Sequence, residues 1–444
     1  MKNLTEGKEM GLIIRFALPM ILGNVFMQAY SVVDSIILGN YVGNTALAAV
    51  GASFPFIFAL VSFVIGLGMG FSISISQYFG ARDLDKVKRA IDTLWIFLSV
   101  STVITTAVGL LISEWAMKMV GVPEEVLPEA VIYLNISIIG FVAMFGFNGL
   151  TSVLRGLGDS KTPLYFLIFS TVINAGLNLL FVIVFKWGVA GSAWATAISQ
   201  AIGFIGMVIY LNPRNELVRL TWRKYVFDKE IFRSSVKIGV PTALQQTFVS
   251  LGMMALMSIV SRFGTQVVAA YTVATRIDSF ASMPAMNFAA ALSTFTGQNL
   301  GAGKPERVRK GLTVTLGVTS LISIFVTLIA HFYSTELMSL FTSDPEVIRY
   351  GSDYLIIVCS FYILFSGMFS ISGVMRGAGD TLVPMLVTLF SLWLIRIPLA
   401  HILSGRFGVH GIWWAIPFAW AIGLVGAWVY YKTGRWKTKV LVKR

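Results

Sequence analysis

The chain has 444 residues, of which 56% are hydrophobic and only 12% charged, with a mean hydropathy of +0.79. An average soluble domain is about 25% charged. A soluble core of this size has no room for so much apolar side chain, so the composition excludes a soluble domain and points to an integral membrane protein. The 34 Lys and Arg outnumber the 21 Asp and Glu, leaving a formal charge of +13. In a membrane chain the position of that excess carries more meaning than its sum, and no nucleic-acid partner is implied.

In chain order, the polar stretch from Met1 to Glu9 leads directly into an apolar run over residues 12–38. That run is too long for a signal-peptide core and lacks a small-residue cleavage pattern, so it reads as a retained first span. Further apolar runs fall at 46–75, 91–113, 127–153, 162–185 and 189–211. A second set follows at 238–262, 267–296, 311–333, 349–374, 383–403 and 408–431. At about 20 residues per crossing, these predict an all-α polytopic membrane protein with 12 transmembrane helices. The expected organisation is an N-terminal six-helix lobe (1–211), a basic cytoplasmic linker (212–237, with Arg214, Arg219, Arg223, Lys224, Lys229, Arg233 and Lys237), a C-terminal six-helix lobe (238–431) and a basic cytoplasmic tail (432–444). With the N-terminus placed inside, 27 of the 34 basic residues lie on inner segments and 5 on outer ones, while Arg276 and Arg396 fall within spans. Such a bias sets both termini on the cytoplasmic face of the plasma membrane, the inner membrane where a cell has two.

The halves repeat. Gly43-Asn-Thr-Ala-Leu-Ala-Ala49 matches Gly264-Thr-Gln-Val-Val-Ala-Ala270, and Gln77-Tyr-Phe-Gly-Ala81 matches Gln298-Asn-Leu-Gly-Ala302, both at an offset of 221. Arg155-Gly-Leu-Gly-Asp159 with Pro163 matches Arg376-Gly-Ala-Gly-Asp380 with Pro384 at the same offset, and Gly188-Val-Ala-Gly191 matches Gly408-Val-His-Gly411 at 220. Six spans per half bring both copies into the membrane from one side. The repeat is therefore parallel, related by a pseudo-two-fold along the membrane normal, with substrate expected between the halves near mid-membrane. This built-in pseudo-symmetry favours a monomer.

An ionisable group within the bilayer costs several kcal/mol unless paired or hydrated, so Asp34, Arg276, Asp278 and Arg396 stand out. Asp34 lies about 28 Å beyond Arg15 at ~1.5 Å per residue, in the outer half of the first span. Pro19 in that span lacks an N–H and marks a hinge. Asn174 and Asn178 lie one turn apart on the fifth span, Thr196 is in the outer half of the sixth, and Tyr133 is about 9 Å from the outer start of the fourth. One carboxylate with amide, hydroxyl and phenol partners suits a proton or Na⁺ bound through hard oxygens, although Asn and Thr also serve simply to join helices. Arg276 and Asp278, two residues apart, face different sides of the eighth span and do not pair. Asp278 reads either as a substrate-cation contact or as structural, and Arg396, followed by Pro398, as a donor to carbonyls freed by a kink. Met253, Met254, Met257, Met283 and Met286, with Phe280, suit a promiscuous apolar wall for organic cations, though such residues are also ordinary packing; Gln245 and Gln246 are polar candidates for the same substrate cavity.

Other motifs carry no chemistry. In Arg155-Gly-Leu-Gly-Asp-Ser160-Lys161-Thr162 the glycine a phosphate loop needs before Lys-Thr is Ser160, and Lys304 is followed by Pro305, so both stretches read as tight cytoplasmic turns. The tract Gly66-Leu-Gly68-Met-Gly70 reads as close helix contact or a hinge. The single cysteine, Cys359, forms no internal disulfide, and His331, His401 and His410 have no metal-ligand spacing. No cofactor is expected beyond a coupling ion, H⁺ or Na⁺.

Pro19, Val33-Asp34, Gly43 with Ala48-Ala49-Val50-Gly51, Gln77 with Gly80, Arg155-Gly-Leu-Gly-Asp159 and their second-half counterparts Gln298-Asn-Leu-Gly-Ala-Gly303 and Arg376-Gly-Ala-Gly-Asp380 together give the chain its resemblance to the multidrug and toxic compound extrusion (MATE) transporters over essentially its whole length. The resemblance implies two six-helix lobes that expel organic cations in exchange for Na⁺ or H⁺. It also implies the first-lobe cation site of many prokaryotic members at Asp34, Asn174, Thr196 and the position of Asn178, where many members carry Asp. Some branches add a Glu in the seventh span and an Asp in the tenth. Here Thr242-Ala-Leu-Gln245-Gln246 and Phe365-Ser-Gly-Met-Phe-Ser-Ile-Ser-Gly373 contain neither, which leaves Asp34 as the principal coupling group.

The function expected is a secondary active antiporter exporting amphipathic, often cationic, small molecules (xenobiotic efflux), in which neutralising Asp34 lets the first span bend near Pro19 and release substrate outward. A lipid-linked oligosaccharide flippase of related architecture is the alternative, weakened because only Arg276 and Arg396 are intramembrane cations. A membrane enzyme lacks a visible catalytic constellation, and a receptor lacks a sensing domain.

Overall fold

The structure, a computed structural model, describes residues 2–220 and 225–442; Arg223 and Lys224 of the expected linker and Lys443 and Arg444 of the tail lie outside them. Among the described residues the protein is helical throughout, with no strand. In chain order the helices are α1 (Glu9–Tyr41), α2 (Asn44–Gly80), α3 (Leu84–Met119), α4 (Leu127–Gly156), α5 (Lys161–Asn178, continuing as a π-helix over Leu179–Val184), α6 (Gly188–Leu211) and α7 (Lys229–Val260). They continue with α8 (Thr265–Gly301), α9 (Pro305–Ser339), α10 (Pro345–Ser360), α11 (Tyr362–Gly377), α12 (Leu382–Leu389, followed by a π-helix over Phe390–Arg396), α13 (Ile397–Phe407) and α14 (Val409–Thr433).

These make the 12 expected spans, with α10 and α11 forming the tenth and α12 to α13 the eleventh. Among the described residues ten helices are long and apolar enough to cross a bilayer by length and composition, and α10 with α11 qualify as a pair bent by 50°. The 37-residue α8 is less apolar, carrying Arg276, Asp278, Asn287, Gln298 and Asn299. Several helices outrun the apolar runs, α9 beginning at Pro305 rather than 311, because a helix continues into the interface where charged side chains are hydrated. Leu111 (84% exposed) and Leu321 (69%) point outward, as a lipid solvent permits.

Local chemistry sets the ends. Asp83 accepts from the Lys86 N–H at 3.1 Å to start α3, and Asp344 accepts from Glu346 N–H at 2.9 Å to start α10, with Pro345 at its first turn. Asp159 accepts from the N–H groups of Lys161 and Thr162 at 3.0 Å and from the Thr162 hydroxyl at 2.7 Å. The Arg155-Gly-Leu-Gly-Asp159 turn thus caps a helix. Gly43 (φ 112°) and Gly264 (φ 96°) occupy the left-handed region at matching turns of the two halves.

The chain divides into two compact units: Leu18–Ala243, and Asn3–Ala17 together with Leu244–Arg444. Both passages lie inside a continuous helix, beside Pro19 of α1 and Pro241 of α7. In the first unit the glycine tract of α2 brings helices into contact. An added Cβ would stand 2.5 Å from Ala243 Cβ at Gly66 and 2.1 Å from the Ser235 carbonyl at Gly70, and Ser74 and Ser235 share a hydroxyl hydrogen bond of 2.9 Å. The linker docks on α3: Lys88 donates to the Arg219 carbonyl at 3.2 Å and Asp228 N–H to Thr93 Oγ1 at 3.0 Å.

In the second unit the N-terminal segment docks in the corresponding way. Leu4 N–H donates to Gln298 Oε1 at 2.9 Å, Asn299 donates to the Leu4 carbonyl at 3.1 Å, and Arg307 pairs with Glu9 at 3.0 Å. Beyond α14 the basic tail forms a short 3-10 helix, Arg435–Lys439, anchored by buried Trp436, whose Nε1–H donates to the Tyr431 carbonyl at 3.0 Å.

Candidate functional site

Within the first unit, α1, α5 and α6 bring their membrane-depth polar residues together. Asp34 on the largely apolar α1 is buried, 8% exposed. The Ser192 hydroxyl of α6 donates to Asp34 Oδ1 at 2.6 Å, and the Asn178 side chain reaches the same carboxylate. Asn178 Nδ2 donates to Asn174 Oδ1 at 3.0 Å, and Asn174 Nδ2 in turn to the Tyr30 hydroxyl at 3.1 Å and to Thr196 Oγ1 at 3.5 Å. The Tyr30 hydroxyl donates to Thr196 Oγ1 at 2.6 Å, which closes the network. Tyr133 of α4 interacts electrostatically with Asp34 and Tyr30 and packs on Leu38, Ala46 and Val189.

Four of the five expected coupling residues therefore share one hydrogen-bonded chain with Asp34 at its end, and the fifth, Tyr133, borders it. Sequence reasoning missed Tyr30 and Ser192. Each was within reach of it, since Tyr30 lies four residues before Asp34 and Ser192 four before Thr196, one turn away on the same face.

The network is not self-sufficient. Asn178 Oδ1 is buried without a hydrogen-bond partner, and an unpaired buried carbonyl oxygen carries a desolvation cost of about 1–3 kcal/mol. With the Asp34 carboxylate beside it, that oxygen supplies hard donors of the kind a small cation or a shared proton takes. The helix supports this geometry. Directly after Asn178, α5 widens into its π-helical stretch, a local rearrangement found often at functional sites. Among the described residues no three His, Cys, Asp or Glu side chains gather as a metal-binding group.

Of the other expected residues, all but Pro19 belong to the second unit. Gln245 is buried and tied to neighbouring helices: its Nε2 donates to Thr388 Oγ1 at 2.6 Å and its Oε1 accepts from Arg376 at 3.3 Å. Gln246 is exposed, as are Met253 (42%), Phe280 (50%) and Met286 (44%). Met283 is buried and Met257 packs against the core of the unit. Asp278 is joined to Tyr362, apart from the exposed Arg276. Arg396 is buried, and its Nε is without a hydrogen-bond partner. Pro19 lies inside α1, which runs without a break.

Comparison with known proteins agrees with this architecture. The MatE family model matches residues 19–180 and again 241–402, one copy in each half, beginning at Pro19 and at Pro241. A probable multidrug resistance protein of Bacillus subtilis, YpnP, is 33% identical over 439 residues, covering 99% of this chain and 98% of its own. A probable multidrug resistance protein NorM of Thermotoga maritima is 26% identical over 97% of this chain and 94% of its own. A solved outward-facing conformation of a multidrug resistance MATE family transporter of the MOP superfamily superposes with a TM-score of 0.92 at 23% identity, over 99% of both chains, which establishes the shared fold. With the duplicated family match and full-length relatives, the chain belongs to the MatE family of multi-pass membrane transporters.

Proposed function

We propose that the protein is a secondary active antiporter of the plasma membrane, both termini cytoplasmic, that exports amphipathic and often cationic small molecules in exchange for H⁺ or Na⁺ bound at Asp34. The observation that carries this reading is the buried carboxylate at the end of the Ser192–Asn178–Asn174–Tyr30–Thr196 network, next to the unpartnered Asn178 oxygen. A buried carboxylate in a membrane span is costly in its charged form, so ion binding at Asp34 changes the energy of α1 by several kcal/mol. Neutralisation then frees α1 to bend at Pro19, next to the point where the chain passes from one unit to the other. The names of the two relatives, each a "probable multidrug resistance protein", support drug-like substrates. The reading includes a monomer with no enzymatic activity and no cofactor other than the coupling ion.

The test is flux of a fluorescent organic cation in proteoliposomes under an imposed Na⁺ or H⁺ gradient. Wild type is expected to move dye with one of the two gradients and Asp34→Asn with neither. Full gradient-driven flux in Asp34→Asn would overturn the role of Asp34, and no flux in wild type under either gradient would overturn the substrate class.

A further inference from the structure

Three irregularities of the second unit converge on one side chain. The tenth span breaks at Phe361 (φ −111°, ψ 14°), where α10 and α11 meet at 50°. Broken helices at membrane depth occur where protein or a water-filled cavity satisfies the freed backbone, and transporters build ion sites there. Tyr362, the first residue after the break, is 3% exposed; its hydroxyl donates to the Asp278 carboxylate of α8 and lies 3.2 Å from the Asp278 carbonyl oxygen. From the eleventh span, the π-helical segment ends at Arg396, which is 7% exposed, leaves Nε unpartnered and interacts electrostatically with Asp278 without bonding to it.

The surroundings are aromatic. Tyr271 stacks on Trp413 at 5.6 Å, Tyr354 meets Trp413 edge-on at 5.0 Å, and Trp420 stacks on Tyr362 at 5.8 Å. The titratable groups facing Asp278 are Tyr362 of α11, Tyr354 and Cys359 of α10, Tyr271 of α8 and Arg396. The packed neighbour α9 has no titratable side chain between Lys310 and His331, and His331 is exposed. The next titratable pair, His410 and Asp353 at 3.0 Å, lies toward the outer ends of α14 and α10.

We propose that Asp278 is a second proton-exchange site, in the C-terminal half, with Tyr362 as its positioning donor and Arg396 as its countercharge. The geometry supplies a partner arrangement for each state. Ionised, Asp278 accepts the Tyr362 hydroxyl and is drawn by Arg396. Protonated, it releases that hydroxyl, and the Asp278 main-chain oxygen stands ready as the alternative acceptor. The proton binds to one carboxylate oxygen and leaves from it; no other bond changes. The site does not repeat the first one, because the residues 221 positions before Asp278, Tyr362 and Arg396 are Ile57, Phe141 and Ala175. Its use in transport rests on the ion-coupled reading above.

The test needs no transport. Infrared difference spectra of the purified protein in lipid, recorded while pH is varied, read the C=O stretch of protonated carboxyls. Wild type is expected to show a titrating band that persists in Asp34→Asn, disappears in Asp278→Asn and shifts in Tyr362→Phe, which keeps the ring packed on Trp420. If Asp278→Asn does not fold, the Tyr362→Phe shift decides alone. A titrating spectrum unchanged in both Asp278→Asn and Tyr362→Phe would overturn the site. Its failure is distinguishable from failure of the antiport reading, which is judged by dye flux.

Discussion

The two halves share a packing code and differ in where they place charge. Gly156 of α4 lies against the Ser72 carbonyl of α2, and Gly377 of α11 lies against the Ser293 carbonyl of α8, 221 residues further on in both cases. At membrane depth the correspondence ends. The positions 221 beyond Asp34, Asn174 and Asn178 hold Ala255, Ile395 and Leu399, while Asp278, Tyr362 and Arg396 have only apolar counterparts; Tyr133 and Tyr354 alone keep one chemistry. A contact between a glycine and a backbone carbonyl has no substitute, so duplication preserves it. A buried charge is tolerated only where one network satisfies it, so each half carries its own.

The sharpest way to break this contrast is Asp34→Asn, expected to lower gradient-driven dye flux by about 100-fold. Asp34 would not be the coupling group of its half if the flux loss stayed near twofold. Next are the shared contacts. Alanine at Gly377 would place Cβ 2.2 Å from the Ser293 oxygen, and alanine at Gly156 would place it 2.7 Å from the Ser72 oxygen. Each is expected to destabilise by about 1–3 kcal/mol, Gly377→Ala more than Gly156→Ala, read as Tm in detergent. An unchanged Tm in either would break the common code.

Ser192→Ala removes the 2.6 Å hydrogen bond to Asp34. A hydroxyl donor favours the ionised carboxylate, so its loss keeps the proton bound to higher pH, and the midpoint of the pH–flux profile is expected to move up by about one unit. A downward shift would contradict the assigned donor. The smallest effects are expected at the docked segments. Arg307→Gln, which loses the 3.0 Å pair to Glu9, and Arg89→Gln, which loses Asp85 at 3.0 Å and Asp228 at 3.9 Å, should each cost about 0–1 kcal/mol. A Tm change larger for Arg89→Gln than for Arg307→Gln would reverse the order the burial of the two pairs suggests.

The spans, the repeat and most of the first site were legible in the sequence, because a 20-residue apolar run and a one-turn spacing are local signals. Asp34, Asn178, Asn174 and Thr196 fall on facing sides of three adjacent helices, so depth and periodicity sufficed. The break at Phe361 was not legible: Cys359-Ser-Phe-Tyr362 contains neither Pro nor Gly, the usual markers of a kink. The partners of Asp278 therefore stayed hidden, since Tyr362 is aimed by that break. The partners of Gln245 stayed hidden for a similar reason. Its polarity suggested a substrate wall, but its hydrogen bonds to Thr388 and Arg376 depend on how α12 and α11 pack, which no spacing records.

The passage of α1 between units has a consequence for biosynthesis. Residues 3–17 are made before residues 244 onward, yet they belong with the unit those later residues complete, and Leu4 finds Gln298 across 294 residues of chain. Two separate chains exchanging ends in this way would form a swapped dimer; here the exchange is internal, with α7 giving its first turns to the earlier unit in return. Neither half is self-contained, and the contacts of residues 3–17 cannot form until Gln298 and Arg307 have been made.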